Sequence, residues 1–186
     1  MNMKSKKVNI CVFCGSMTGD NNTYCLEAKR LGNLISKNKW NLIFGGGKSG
    51  LMGSLAEGFD SSKAKIISVV PKKLNNKEIL FSNPSKKILV KNLFLRKEKM
   101  INLADFIIVL PGGIGTLDEI LEVLALNNLS IANKKLIIVN LNQYWDPLKN
   151  LIYYLNKSKF VYDIKKSHFK FVDTVDKTVK FIKNNL

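Results

Sequence analysis

Three glycine-bearing turns are the places where this chain could do chemistry. They are Cys14-Gly15-Ser16, the run GGGKSGLMG from Gly45 to Gly53, and the run PGGIGTLDE from Pro111 to Glu119. Each follows a short apolar run of strand character. Glycine after a strand lets the backbone turn tightly and approach a ligand, and a helix that follows aims its positive end at the same spot. Together the turns predict a ligand that carries phosphate. Gly45, Gly47 and Gly50 fit G-x-G-x-x-G. The dinucleotide fingerprint, however, follows the first strand and needs an acidic residue about 20 positions on. Here Ile66–Lys73 holds neither Asp nor Glu, although Lys72 and Lys73 would suit a 2′-phosphate. The strict nucleotide-triphosphate loop G-x-x-x-x-G-K-S needs Gly where Leu42 stands, so that pattern fails.

The third turn also carries reactive groups. Thr116 can donate its hydroxyl to a phosphate, and Asp118, Glu119 and Glu122 follow within two turns of helix. The spacing Thr116-x-x-Glu119 favours a capping box, in which each side chain satisfies the other's backbone amide. Yet carboxylates beside a phosphate cradle repel the anion unless they serve its sugar. That tension makes Glu119 a candidate for binding a hydroxyl or activating water. The second cluster is Arg96-Lys97-Glu98-Lys99, on its face an ordinary solvated charge run. Arginine is rare here, with 2 Arg (Arg30 and Arg96) against 28 Lys. A position that keeps Arg in such a chain invites a role for a planar, permanently charged fork.

Other chemistries find little footing. His168 is the only histidine and is expected on the surface, and no His/Cys cluster suggests a metal. Cys11, Cys14 and Cys25 are too few and too unpaired for a disulfide framework. Cys11 and Cys14 are expected to be buried on opposite faces of a strand.

The elements that must position these groups alternate along the chain. Strands are expected at Val8–Phe13, Asn41–Phe44, Ile66–Val70, Lys87–Val90, Phe106–Leu110, Leu136–Asn140 and Phe169–Val172. Helical patterns fall at Tyr24–Ile35, Leu51–Ser62, Leu93–Leu103, Thr116–Leu129, after Pro147, and at the C-terminus, with a loop over Pro71–Pro84. The strands are continuous apolar runs, the mark of a parallel sheet covered on both faces. The expected fold is therefore α/β: a Rossmann-like, doubly wound parallel sheet with helices on both faces. Its ligands bind beyond the carboxyl ends of the strands, where the three turns lie. The 186 residues suit one domain, 1–186, with residues 1–7 expected to form a flexible N-terminus.

The formal net charge is +16, which raises a nucleic-acid reading. The lysines are scattered, however, with no basic stripe and little Arg. A compositional bias toward AT-rich codons accounts for them, with a side benefit in steering an anionic ligand. Nucleic acid is not the expected partner. No apolar run approaches the roughly 20 residues of a membrane span, and the N-terminus lacks a secretory pattern. The expected setting is cytoplasmic, away from membranes.

In order and spacing, CVFCGS, Tyr24-x-x-x-Ala28-x-x-Leu31-Gly32, FGGGKSGLMG, VVPKKL, RKEKM and PGGIGTLDE resemble the LOG ("Lonely Guy") family. These are the cytokinin riboside 5′-monophosphate phosphoribohydrolases, long mislabelled as lysine decarboxylases. The resemblance runs from about Val8 to about Val161. It implies hydrolysis of the N-glycosidic bond of AMP or an N6-prenyl-adenosine monophosphate, without a cofactor or metal, by a homodimer or larger homo-oligomer. Arg96 and Glu119 match the catalytic pair. Gly112, Gly113, Gly115 and Thr116 match the phosphate-binding turn, and Lys97 and Glu78 match substrate contacts. Gly15, Ser16, Gly46, Ile114, Leu117, Asp118 and Glu122 complete the implied substrate-binding set. The decarboxylase label would require a lysine singled out for pyridoxal phosphate, and none is. Leu93-Phe94-Leu95, Asp118-Glu119 and Leu124–Asn128 depart from the family's pattern, which leaves base preference open. A molybdenum-cofactor carrier of the same fold is the alternative, although such a carrier is expected to lack the Arg or Glu of the pair.

Overall fold

The computed structural model describes residues 7–76, 79–161 and 168–186, so all but the last residue of the expected flexible N-terminus lies outside the described residues. The elements run β1 (Asn9–Phe13), α1 (Thr23–Lys37), β2 (Asn41–Phe44), α2 (Gly50–Gly58), β3 (Ile66–Pro71), β4 (Lys86–Val90), α3 (Leu93–Leu103), β5 (Phe106–Val109), α4 (Ile114–Asn128), β6 (Lys135–Val139), α5 (Asp146–Lys157), β7 (Phe169–Val172) and α6 (Val175–Lys183). The strands form one seven-stranded sheet in the order β4-β3-β2-β1-β5-β6-β7. Every adjacent pair is parallel.

Burial on both faces explains the unbroken apolar strands. Ile10 and Val12 of β1 enter the core shared with α1, α2 and α6, and Cys11 and Phe13 enter the core shared with α3, α4 and α5. Cys14 falls in the first of these cores, opposite Cys11, as the alternation requires. Asn9, the one polar interruption, opens the strand. Its amide N–H donates to Asp105 Oδ2 (2.9 Å), its side-chain amide to the Leu103 carbonyl (3.1 Å), and its Oδ1 accepts from Asn41 (2.9 Å).

Of the helix boundaries that differ from the sequence expectation, two have a clear local cause. α2 stops at Gly58 rather than Ser62, because Asp60 builds a local turn. Its Oδ1 accepts from the Ser62 backbone N–H (3.0 Å) and hydroxyl (2.6 Å), while Oδ2 pairs with Lys63 (2.7 Å). α4 starts at Ile114 with Gly113 as its N-cap, so Thr116 is the third helical residue. The capping box that Thr116-x-x-Glu119 suggests is therefore not formed, and the Glu119 carboxylate is left for other work. No described helix is long and apolar enough to cross a membrane.

Candidate functional site

β1 and β5 are neighbours at the centre of the sheet, and the winding changes direction between them. Their C-terminal turns meet there. The Gly15 N–H donates to the Pro111 carbonyl (3.0 Å), and the Gly15 carbonyl accepts from the Met52 N–H at the start of α2 (3.3 Å). All three glycine turns are thus tied together around one cleft of about 290 Å³. Gly15, Ser16, Arg96, Lys97, Gly113, Ile114, Gly115, Thr116, Asp118 and Glu119 line it. Cys14, Gly45 and Met52 of the first two glycine turns line it too, as does Leu93; Val12 and Phe13 also line it, although the sequence reading gave them no role in the site.

The remaining expected site residues lie elsewhere. Gly46 is buried beneath the second turn, at a positive φ of 85° and against Val70 and Ser68. Gly112 forms the wall of a neighbouring cavity, and Leu117 packs on the core under α3, α4 and α5. Glu122 faces Lys97. Glu78 lies outside the described residues.

The third turn leaves backbone donors free at the start of α4. The first amide of the third turn to find a carbonyl is that of Leu117, which donates to Gly113 O (3.0 Å). Helix geometry leaves the amides of Ile114, Gly115 and Thr116 without an intrahelical partner. Open space lies where a Cβ on Gly113 or Gly115 would go, so a ligand can reach the backbone there.

The charged pair sits deeper. Glu119 is 6% exposed, and its Oε1 lies 3.7 Å from Arg96 Nη1. That gap is too long for a hydrogen bond, so the attraction only partly offsets the loss of water. Burial pushes the Glu119 carboxyl up to about 7; Arg96 and Lys97 oppose the rise, and Asp118 and Glu122 add to it. Arg96 Nε is buried with no hydrogen-bond partner among the described residues. The guanidinium lies over Gly45, where a β-carbon would stand 2.0 Å from Nη2. A charged fork held near a carboxylate, with donors unspent, is poised for a third party.

Lys97 is almost fully buried, and its ammonium bonds to both oxygens of Asp118 (3.0 and 2.8 Å) and to Glu122. Burial alone would lower its pKa, but these hydrogen bonds hold it above the ordinary lysine value. It therefore clamps α3 to α4 beside Arg96 and Glu119. Burial also raises the Cys11 and Cys14 thiols, with Glu119 adding to the rise, so neither supplies a thiolate. His168 is exposed, and no three His, Cys, Asp or Glu among the described residues are grouped to hold a metal ion.

Two cavities adjoin the cleft. One, about 390 Å³, shares Ser16, Gly45, Met52 and Arg96 with it and is otherwise walled by Ser49 and mainly apolar groups such as Val70, Leu74 and Leu80. The other, about 260 Å³, lies behind the glycine turns and is bounded by Tyr24 and Tyr144. The Tyr144 hydroxyl donates to the Gly112 carbonyl (2.6 Å). Nothing in the sequence pattern marked Tyr144, since a residue in the loop after β6 has no local link to the third turn.

Comparison with known proteins places these observations in a family. The family model described as possible lysine decarboxylase matches residues 52–182. The chain is 35% identical over 149 residues to cytokinin riboside 5′-monophosphate phosphoribohydrolase LOG2 of Arabidopsis thaliana, covering 80% of this chain and 70% of that protein. It is 36% identical over 152 residues to LOG1 of the same plant, covering 82% and 71%. Among solved structures, the Moco carrier protein of Chlamydomonas reinhardtii superposes with a TM-score of 0.73 over 96% of this chain and 97% of that one. At 16% identity, that likeness speaks to the fold alone.

Proposed function

Because this chain belongs to the LOG family, which the possible-lysine-decarboxylase model describes, we propose that it hydrolyses the N-glycosidic bond of an adenine nucleoside 5′-monophosphate. The products are the free base and ribose 5-phosphate. One observation carries the reading: a buried carboxylate and a guanidinium with unspent donors face each other within a cleft floored by glycine turns.

Cleavage of a ribosyl bond builds positive charge on the sugar. The Glu119 carboxylate stabilises that charge and orients the attacking water, whose oxygen bonds to the anomeric carbon as the bond to the base nitrogen breaks; the water gives up a proton to Glu119, and the base nitrogen takes one from solvent, so the protons balance. Arg96 positions the nucleotide and hydrogen-bonds the departing base. The amides of Ile114, Gly115 and Thr116 anchor the 5′-phosphate, so binding energy remote from the reacting bond holds the sugar in place. The apolar annex beside Arg96 suits an adenine whose N6 carries a prenyl group. Lysine decarboxylation fits poorly. It needs a neutral amine for a Schiff base, whereas Lys97, the lysine in the cleft, is held charged by two carboxylates.

The test is incubation with AMP and with N6-isopentenyl-AMP, following free base by chromatography. Release from both is expected, with faster turnover of the prenylated substrate. No release from either overturns the proposal and favours a carrier. The three free cysteines suit a reducing, cytoplasmic setting.

We also propose that the protein works as a homodimer through α3 and α4. Leu93, Phe94, Ile114 and Leu121 are exposed on these helices, and an apolar groove lined by Leu121, Leu124, Ile152 and Leu155 continues onto α5. Sedimentation equilibrium is expected to give twice the chain mass of 21.0 kDa. A monomer at micromolar concentration contradicts the assignment.

A further inference from the structure

The loop after β6 is unusual in its backbone. Asn142 (φ 50°, ψ 33°) and Gln143 (φ 62°) are consecutive non-glycine residues in the left-handed region. Side chains other than glycine adopt that region at a cost, and they keep it only where the surroundings enforce it. Here Asn140 does so. Its Oδ1 accepts from the Trp145 N–H (2.7 Å), its side-chain amide donates to Asp146 Oδ1 (2.8 Å), and its carbonyl accepts from the Gln143 N–H (3.3 Å). The strained pair delivers Tyr144. Its ring packs edge-on against Tyr24 (5.7 Å) and Trp145 (4.9 Å), and its hydroxyl reaches the Gly112 carbonyl.

That carbonyl belongs to the peptide joining Gly112 and Gly113. With no β-carbon on either side, this peptide can rotate more freely than any other in the turn. A trans peptide points its C=O and N–H in opposite directions. Holding the carbonyl toward the cavity of Tyr24 and Tyr144 therefore aims the Gly113 N–H the other way, toward the cleft that Gly113 lines with Thr116 and Glu119.

We propose that Tyr144 is a positioning residue for phosphate recognition: its hydroxyl selects the orientation of the Gly112–Gly113 peptide in which the Gly113 amide serves the cleft. The hydroxyl also polarises the peptide, because a carbonyl that accepts a hydrogen bond makes its own N–H a stronger donor. Tyr144 touches no substrate; it acts through the turn. The proposal rests on the reading of this turn as the 5′-phosphate site, and the test separates the two.

The test is Tyr144→Phe, which keeps both ring contacts and removes one oxygen. Ribose 5-phosphate and adenosine are titrated into wild type and variant by calorimetry, and steady-state kinetics are run on AMP. The variant is expected to bind ribose 5-phosphate about tenfold more weakly, the effect of one lost hydrogen bond. Adenosine binding stays unchanged, and the kinetic loss falls mainly on KM. The melting temperature reports the fold. If wild type binds phosphorylated ligands and Tyr144→Phe binds them equally well, the proposal is overturned while the phosphate reading stands. An equal loss for adenosine assigns Tyr144 a merely structural role and also overturns it. If wild type binds no phosphorylated ligand, both fall.

Discussion

Replacing Glu119 by Gln is expected to lower kcat/KM for the nucleotide by about 10³-fold, the usual scale for removing a charge-stabilising or water-activating group. Gln keeps the size and hydrogen-bonding reach of Glu but cannot balance the charge that grows on the sugar. The wild-type pH profile carries the same information. The carboxylate is the working form, and burial pushes its pKa up to about 7, so kcat/KM should rise with pH and level off above that value. That inflection lies above the second ionisation of a phosphate monoester, roughly 6, so the two limbs are separable. In Glu119→Gln the limb near 7 should vanish. Near-wild-type base release by the variant would remove Glu119 from the mechanism.

The same substitution has a signature in stability. Between the ordinary carboxyl pKa of 4.5 and the folded value of about 7, the native protein holds a proton that the unfolded chain has lost. Stability therefore falls as pH rises through this window and is level above it, by at most roughly 3 kcal/mol. Glu119→Gln should flatten that slope, whatever it does to stability at a single pH. Urea unfolding at pH 5, 6, 7 and 8 measures it; parallel slopes for the two proteins would show that Glu119 titrates normally.

Gly45→Ala should cost nearly as much activity as removing Arg96, and for a reason of shape alone. The new methyl would stand 2.0 Å from Arg96 Nη2. That atom ends a long, flexible side chain, so the clash is relieved by displacing the guanidinium rather than the backbone. The fold should survive with a small change in melting temperature, while kcat/KM falls about 10²-fold, as expected when a reacting group is misplaced by an ångström or so. A variant with wild-type turnover would mean that Arg96 needs no fixed place over Gly45.

These effects show which parts of the site the sequence could reveal. The strands were legible because both faces of the sheet are covered, so Ile10–Phe13, Ile107–Val109 and Leu136–Val139 read as unbroken apolar runs. The turns were legible because glycine there answers a local backbone demand. Arg96 stood out against a background of lysine. What the sequence hid was contact between distant segments. Lys97 reads as part of a solvated run, yet it is buried because Asp118 and Glu122 come from another helix. Thr116 and Glu119 carry the spacing of a cap, yet the helix begins two residues earlier, at Gly113-Ile114, because glycine itself serves as the N-cap. Gly45 looks like one glycine among several until Arg96 is seen above it. Tyr144 carries no local signal at all.

The strand order also decides when the candidate site comes together. From β1 the sheet is built outward to β4 in one direction, and only then does the chain return to lay β5 against the other side of β1. Arg96 and Glu119 flank that return, and the bond between Gly15 and Pro111 closes it. Contacts so distant in sequence are the slow ones to form, since a long loop must be ordered before they repay its entropy. A chain whose β5 has not joined β1 therefore holds the first two glycine turns apart from the third. On the proposed function, nucleotide cleavage is confined to molecules whose two half-sheets have joined, and the seam between them serves as the fold's own safety catch.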